Sequence, residues 1–279
     1  MKCYTRRAGG TDTAVALGTF DGVHLGHQTV LEVAQTIALC EGMTPCALSF
    51  LQHPLSVVGA GAPPLLTLPA EKALLAARSG LEEMALLPFT RDFAALPAED
   101  FARLLVEKYR ARHVVVGENY TFGAGGAGDV DLLDRLSKAL GFVLHVVPKV
   151  RVSGMDVSST AIRSLLAAGD VRRAAALLGR AYSIGGPIVH GRRIGHRMGF
   201  PTVNVALPKG QAPAQVRRVL RLCPHRGRAL PGHVQPGRKA HRGQRPPDAG
   251  GVPAGLLRRP LRRGGARQLC GAHPRRKEV

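Results

Sequence analysis

From Thr13 to Leu178 short apolar runs alternate with stretches of helical spacing, and this alternation restricts the fold more than any other feature of the chain. Runs 13–18, Thr44–Phe50, Met84–Phe89, His113–Gly117 and Phe142–Val147 have strand length. Stretches 26–40, Glu71–Arg78, Ala98–Tyr109, Val130–Leu140, Thr160–Ala168 and Val171–Leu178 carry the helical pattern. Strands that take turns with helices need crossover connections, so the expected fold is α/β, a Rossmann-like parallel sheet covered by helices. Such a sheet binds its ligand at the carboxyl ends of its strands.

The pattern stops well before the chain does. At 279 residues there is room for one large domain or two modest ones. From Pro213 to Val279 there are 15 Arg and 2 Lys against one Asp and one Glu, so most of the net charge of +20 sits in that stretch. All 12 aromatic residues lie at or before Phe200. A segment of Arg, Pro and Gly without aromatics cannot bury a core, so 213–279 is expected to be unstructured. Because the charge is not spread evenly but sits mostly in that tail, a nucleic-acid partner is not expected.

No apolar stretch approaches the roughly 20 residues that span a bilayer. The start, Met1-Lys2-Cys3-Tyr4-Thr5-Arg6-Arg7, lacks the apolar segment of a secretory signal. A cytoplasmic protein without a membrane partner is expected, and nothing in the sequence specifies an oligomeric state. The five cysteines contain no Cys-x-x-Cys pair, so neither a disulfide framework nor a zinc site is indicated.

Four stretches carry chemistry. The first, Gly18-Thr19-Phe20-Asp21-Gly22-Val23-His24-Leu25-Gly26-His27, turns from a strand into a helix N-terminus, where free N–H groups and the helix dipole attract phosphate. Two histidines three apart add donors that can follow charge along a phosphate chain. A bare His-x-Gly-His reads equally well as surface imidazoles on a first helical turn.

The second, Phe50-Leu51-Gln52-His53-Pro54, also follows a strand, and an ordinary exit loop explains it almost as well. The third, Gly117-Glu118-Asn119-Tyr120-Thr121-Phe122-Gly123, places rings beside an amide, which suits a planar heteroaromatic ligand. The fourth, Ser158-Ser159-Thr160-Ala161-Ile162-Arg163, opens a helix with three hydroxyls and a guanidinium. These residues could converge on phosphates or simply cap the helix.

Together, in this order, the four stretches resemble the bacterial bifunctional riboflavin kinase/FAD synthetase family over about the first 180 residues. The resemblance implies transfer of AMP from ATP to FMN, giving FAD and pyrophosphate, with Mg²⁺ and without a covalent enzyme intermediate. It implies catalytic roles for His24, His27 and Arg163, and ATP contacts from Gly18, Phe20, Asp21, Gly26, Ser158, Ser159 and Thr160. It also implies flavin contacts from Phe50, His53, Asn119 and Phe122. Leu51 and Gln52 depart from the family's wording, and Asp156 stands where relatives often carry a basic residue.

From Ser183 the chain resembles the opening of a riboflavin kinase barrel, with Thr202 and Asn204 in its Pro-Thr-x-Asn element as ligands of Mg²⁺ and ATP phosphates. The implied organisation is an adenylyltransferase domain over 1–181, a barrel fragment over 182–212 and a tail over 213–279. ATP, FMN and riboflavin are the implied substrates. Rival readings are a nucleotidyltransferase for another phosphorylated cofactor precursor, and a basic nucleic-acid-binding protein.

The rest of the barrel is missing from the amino acids but not from the codons they permit. Read from the second base of each codon, Arg217 through Leu222 can encode Gly-Val-Tyr-Ser-Ala-Tyr, the expected continuation. In the same frame, Asp248 through Arg262 can encode Thr-Leu-Glu-Ala-Tyr-Leu-Leu-Asp-Phe-Ser-Gly-Asp-Leu-Tyr-Gly. The glutamate expected as base on riboflavin is thus spelled across the codons of Gly250 and Gly251. The reading is that the frame was lost between about Ala212 and Arg217, so riboflavin phosphorylation is expected to be impaired.

Overall fold

The computed structural model describes residues 1–4, 10–59, 61–189, 204–206, 208, 210–213, 219–225 and 228–234. Two compact units divide the chain, Met1–Arg217 and Arg218–Val279.

The first unit is built on a six-stranded sheet of β1 (Lys2–Tyr4), β2 (Thr13–Leu17), β3 (Thr44–Phe50), β4 (Glu83–Leu87), β5 (Ala111–Gly117) and β6 (Val143–Val147). Its spatial order is β1-β4-β3-β2-β5-β6 and every pairing is parallel. The expected α/β, Rossmann-like sheet is present. Five strands lie where the apolar runs predict them; β1 is the addition, too short to announce itself.

Side chains alternate across the sheet. On one face Val15, Leu17, Leu48, Ala85, Val114 and Val116 pack with α4 (Ala98–Tyr109) and α5 (Val130–Leu140). On the other, Ala16, Ala47, Met84 and Val115 meet α1 (Leu25–Glu41) and α2 (Pro69–Arg78). Both faces are covered, which is why the strands read as continuous apolar runs.

Local signals set the helix ends. Asp129 caps α5 by accepting from the Leu132 N–H at 2.8 Å, and Gly141 closes it with φ 75°. A one-turn helix, α3 (Arg91–Ala94), follows β4, and a two-residue-per-strand hairpin, β7 (Arg151–Val152) with β8 (Met155–Asp156), follows β6. Then come α6 (Ser159–Ala167) and α7 (Val171–Leu178), whose Ile162, Leu166, Leu177 and Leu178 form a third buried cluster with Leu66 and Ala212.

The chain leaves β2 toward β3 on one side and reaches β5 on the other, so the connections reverse between β2 and β5. Such a reversal opens a crevice at the carboxyl ends of those strands.

Beyond α7, β9 (Ile188–Val189) and β10 (Asn204–Val205) pair antiparallel. Residues 210–212 lie along Leu65: the Leu65 N–H donates to Gly210 O and the Ala212 N–H donates to Leu65 O, each at 2.7 Å. In the second unit β11 (Val219–His225) and β12 (Arg228–Val234) form an antiparallel pair. These fourteen residues lie within 213–279, the stretch expected to be unstructured, and are described as two paired strands. Antiparallel neighbours in sequence can satisfy each other's backbone groups without a core, and Pro224 and Pro231 are tolerated because both strands are edges. Residues 235–279 lie outside the described residues. Among the described helices none is long and apolar enough to cross a membrane.

Candidate active site

The first signature stretch leaves β2 as a tightly wound loop. Phe20 and Val23 hold positive φ, 47° and 37°, and Gly22 lies between them at 86°. Positive φ is costly for a bulky or β-branched side chain and persists only where the surroundings over-determine it. Here they do. A side chain on Gly22 would put its Cβ 2.8 Å from Leu66 Cδ1.

Donors from α6, from Arg180 just past α7 and from α1 take up the loop's carbonyls. Asp21 O accepts from Ser159 Oγ at 2.8 Å, and Gly22 O from Arg180 Nη2 at 2.7 Å. Val23 O accepts from Arg180 Nη1 at 3.1 Å and from Gln28 Nε2 at 2.8 Å. The buried Asp21 carboxylate accepts from the N–H groups of Leu66 (2.9 Å) and Thr67 (3.0 Å) and pairs with the guanidinium of Arg163.

His24 is the N-cap of α1, with Nδ1 accepting from the His27 N–H at 3.2 Å. That bond leaves the neutral ring's proton on Nε2. Burial lowers the His24 pKa to about 4, against the opposing attraction of Asp21. The His27 pKa lies well below the ordinary histidine value, first through burial and then through the charges of His24 and Lys72. Its Nδ1 is buried with no hydrogen-bond partner among the described residues, the kind of orphan that a ligand satisfies.

These imidazoles face a cavity of about 620 Å³ at the sheet's reversal point. Gly18, Phe20, Gly26, His24 and His27 line it from the β2 side, Phe50 and His53 from the exit of β3, and Asn119 and Phe122 from the exit of β5. The structure thus brings three of the four motif stretches to one space.

The fourth stays behind the loop. Ser158 caps α6 by accepting from the Ala161 N–H at 3.1 Å, Ser159 holds Asp21 O, and Arg163 is taken up by Asp21 and by Pro64 O at 2.8 Å. Asp21, Ser158, Ser159, Thr160 and Arg163 do not line the cavity; Val157, just before them, does. Thr202 lies outside the described residues, and Asn204 is placed only as a β10 residue opposite Val189.

One wall of the cavity is a connected run of rings. Phe50 meets Phe89 edge-on at 4.9 Å and Phe93 at 5.6 Å; Phe93 meets Phe101 at 6.2 Å. Phe101 meets Phe122 at 5.6 Å, and Tyr120 stacks on Phe122 at 5.9 Å. Sequence reasoning missed Phe89, Phe93 and Phe101 as site residues, and also Arg180 and Lys72. The only available signal was that most of the chain's few aromatics cluster between Phe50 and Phe122.

The sequence profile of the FAD synthetase family matches residues 7–161, more than half the chain. The chain belongs to the FAD synthetase family.

A riboflavin kinase profile matches residues 178–228 of this FAD synthetase family member, and so runs beyond Arg217, the later bound of the expected loss of frame. Similar proteins named bifunctional riboflavin kinase/FMN adenylyltransferase include one from Bacillus subtilis strain 168, 36% identical over 198 residues, which are 70% of this chain and 62% of the relative. Another, from Escherichia coli K12, is 35% identical over 203 residues (72% and 65%). A third, from Pseudomonas fluorescens, is 33% identical over 198 residues (71% and 64%). The match spans slightly less than two thirds of these relatives' length. Among solved structures, a Streptococcus pneumoniae crystal structure titled as a macrolide-efflux protein has TM-score 0.74 and 26% identity, covering 83% of this chain and 77% of that one.

Proposed function

We propose that the chain transfers the adenylyl group of ATP to FMN. An FMN phosphate oxygen attacks the α-phosphorus as the bond to the β-phosphate oxygen breaks, and pyrophosphate leaves with the electron pair, giving FAD. The observation that carries this reading is that one cavity joins a wall of rings to two neutral, stacked imidazoles at a helix N-terminus. Rings suit the flavin's plane, and Asn119 can read its edge. The Nε2–H of His24, the ring of His27 and the α1 dipole are fixed donors for charge that grows on the phosphates, and need no reorganisation during reaction.

Arg163, Ser159 and Thr160 are assigned to the departing pyrophosphate, with Arg163 drawn from its Asp21 partner by the phosphate charge. Mg²⁺ is assigned a place on the ATP phosphates and not in a protein cage. Among the described residues no group of three or more His, Cys, Asp or Glu side chains could hold an ion, and the cavity's Glu118 is tied to Lys149 at 3.4 Å. ATP and FMN as co-substrates fit a cytoplasmic site of action.

In this chain the riboflavin kinase activity for which the bifunctional relatives are named is proposed to be impaired, because the glutamate expected as its base is absent.

The test is chromatography of the purified protein with ATP and FMN, and separately with ATP and riboflavin, nicotinate mononucleotide or phosphopantetheine. FAD and pyrophosphate in equal amounts from FMN are expected, with little or no FMN from riboflavin. Adenylylation of one of the other phosphates in preference to FMN would overturn the assignment.

A further inference from the structure

Lys72 lies on α2 and is buried, 7% exposed. Its ammonium donates to Thr19 O at 2.7 Å, Phe50 O at 3.1 Å and Ser49 Oγ at 3.2 Å, and Ser49 Oγ in turn donates to Thr19 O at 2.9 Å. All three ammonium protons are thereby used, two of them on backbone carbonyls at the exits of neighbouring strands, β2 and β3. The β2 exit continues into the loop of His24 and His27, and the β3 exit into His53. A buried charge costs more than an apolar side chain of the same length, so packing alone does not account for a lysine here.

We propose that Lys72 is a positioning residue for the group transfer: it clamps the β2 and β3 exits so that the imidazoles of both loops face one cavity, and it sets a fixed positive charge behind them. Its kinetic consequence rests on the adenylyl-transfer reading.

The electrostatics agree with the geometry. Burial holds the Lys72 pKa down to about 8, with Asp21 opposing, so the amine is largely charged at neutral pH. That charge adds to burial in keeping His27 neutral and, after burial and Arg163, His53 as well. A cation so placed also draws phosphate charge toward the histidines.

The variants Lys72→Gln, Lys72→Met and Lys72→Arg test this by carbon-13 NMR titration of the His27 and His53 rings together with steady-state kinetics. In the Gln and Met variants both imidazoles are expected to take up their protons at higher pH than in the wild type. Their kcat is expected to fall roughly 10- to 100-fold while KM for FMN changes about threefold or less, and Arg is expected to restore both readouts. Unmoved imidazole titrations in the folded Gln variant, whatever the activity, would overturn the proposal and leave Lys72 a packing residue. If Met prevents folding, Gln, which keeps a donor and a similar reach, decides. A wild-type protein that makes no FAD removes the adenylyl-transfer reading but leaves the titrations, which test the clamp and its charge directly.

Discussion

The rings of His24 and His27 lie face to face, 3.6 Å between centroids and 13° from parallel. Two protonated rings would repel each other in that geometry, and burial, which holds both pKa values down, makes the stack one of two neutral rings at neutral pH. The His24 pKa, about 4 in the folded chain, lies below the ordinary histidine value of 6.5. Above pH 6.5 neither folded nor unfolded His24 binds a proton and the shift has no effect. Between 6.5 and 4 the unfolded chain takes up protons that the folded one refuses, and stability falls as pH falls, by up to about 3 kcal/mol. The melting temperature measured by calorimetry should therefore drop more steeply between pH 6.5 and 4 in the wild type than in His24→Asn. Parallel curves would contradict the buried, neutral assignment.

The ion pair of Asp21 and Arg163 is unequal in its remaining partners. Without Arg163 the Asp21 carboxylate keeps two backbone N–H donors, whereas without Asp21 the guanidinium keeps, among the described residues, only Pro64 O. Removing the anion strands a largely buried cation, at a cost of about 3 kcal/mol. Urea denaturation should show Asp21→Asn clearly more destabilised than Arg163→Met. Equal losses would mean that the pair, and not the carboxylate's cradle, holds the loop.

Phe93 touches Phe50, Phe89 and Phe101 and lines the cavity. Phe93→Ala should weaken FMN binding, read by quenching of flavin fluorescence, by roughly tenfold, since a ring contact is worth about 1 kcal/mol beyond its area. ATP affinity, supplied from the histidine side, should change less than about twofold. Equal losses for both ligands would place the flavin elsewhere.

On the proposed loss of frame, shifting the frame back just after the codon of Ala212 should raise FMN formation from riboflavin and leave FAD formation from FMN within about twofold of the original chain. Both products are separable in one chromatogram. A frame-shifted protein that makes no more FMN than the original chain would overturn the proposed loss of frame.

Legibility followed the length of the signal. Val130–Leu140 and Val171–Leu178 end where their spacing predicts, because Asp129, Gly141, Asp170 and Gly179 mark their boundaries in the sequence itself. The strand β1 and the helix α3 escaped because three or four residues carry no period, and α3 was missed together with Phe93.

In the site, residues grouped along the chain, such as Gly18 to His27, were readable, whereas the ring wall is assembled from segments that meet only through the sheet. Lys72 was hidden for a different reason. On an amphipathic helix a lysine reads as the solvent face, and its burial follows from acceptors about 20 and 50 residues earlier in the chain. Ser158 and Ser159 were visible as a motif, but their bonds to the helix end and to Asp21 O were not, since a cap and a phosphate ligand use the same residue types.

The pairing of residues 210–212 along Leu65 bears on where the proposed loss of frame falls. Leu65 precedes the two N–H groups that hold Asp21, so the backbone that finishes at Ala212 braces the first domain from outside its signature stretches. A lesion immediately downstream spares every residue of that brace and of the cavity. Selection for FAD would then be blind to the damage, and only a cell short of FMN would register it.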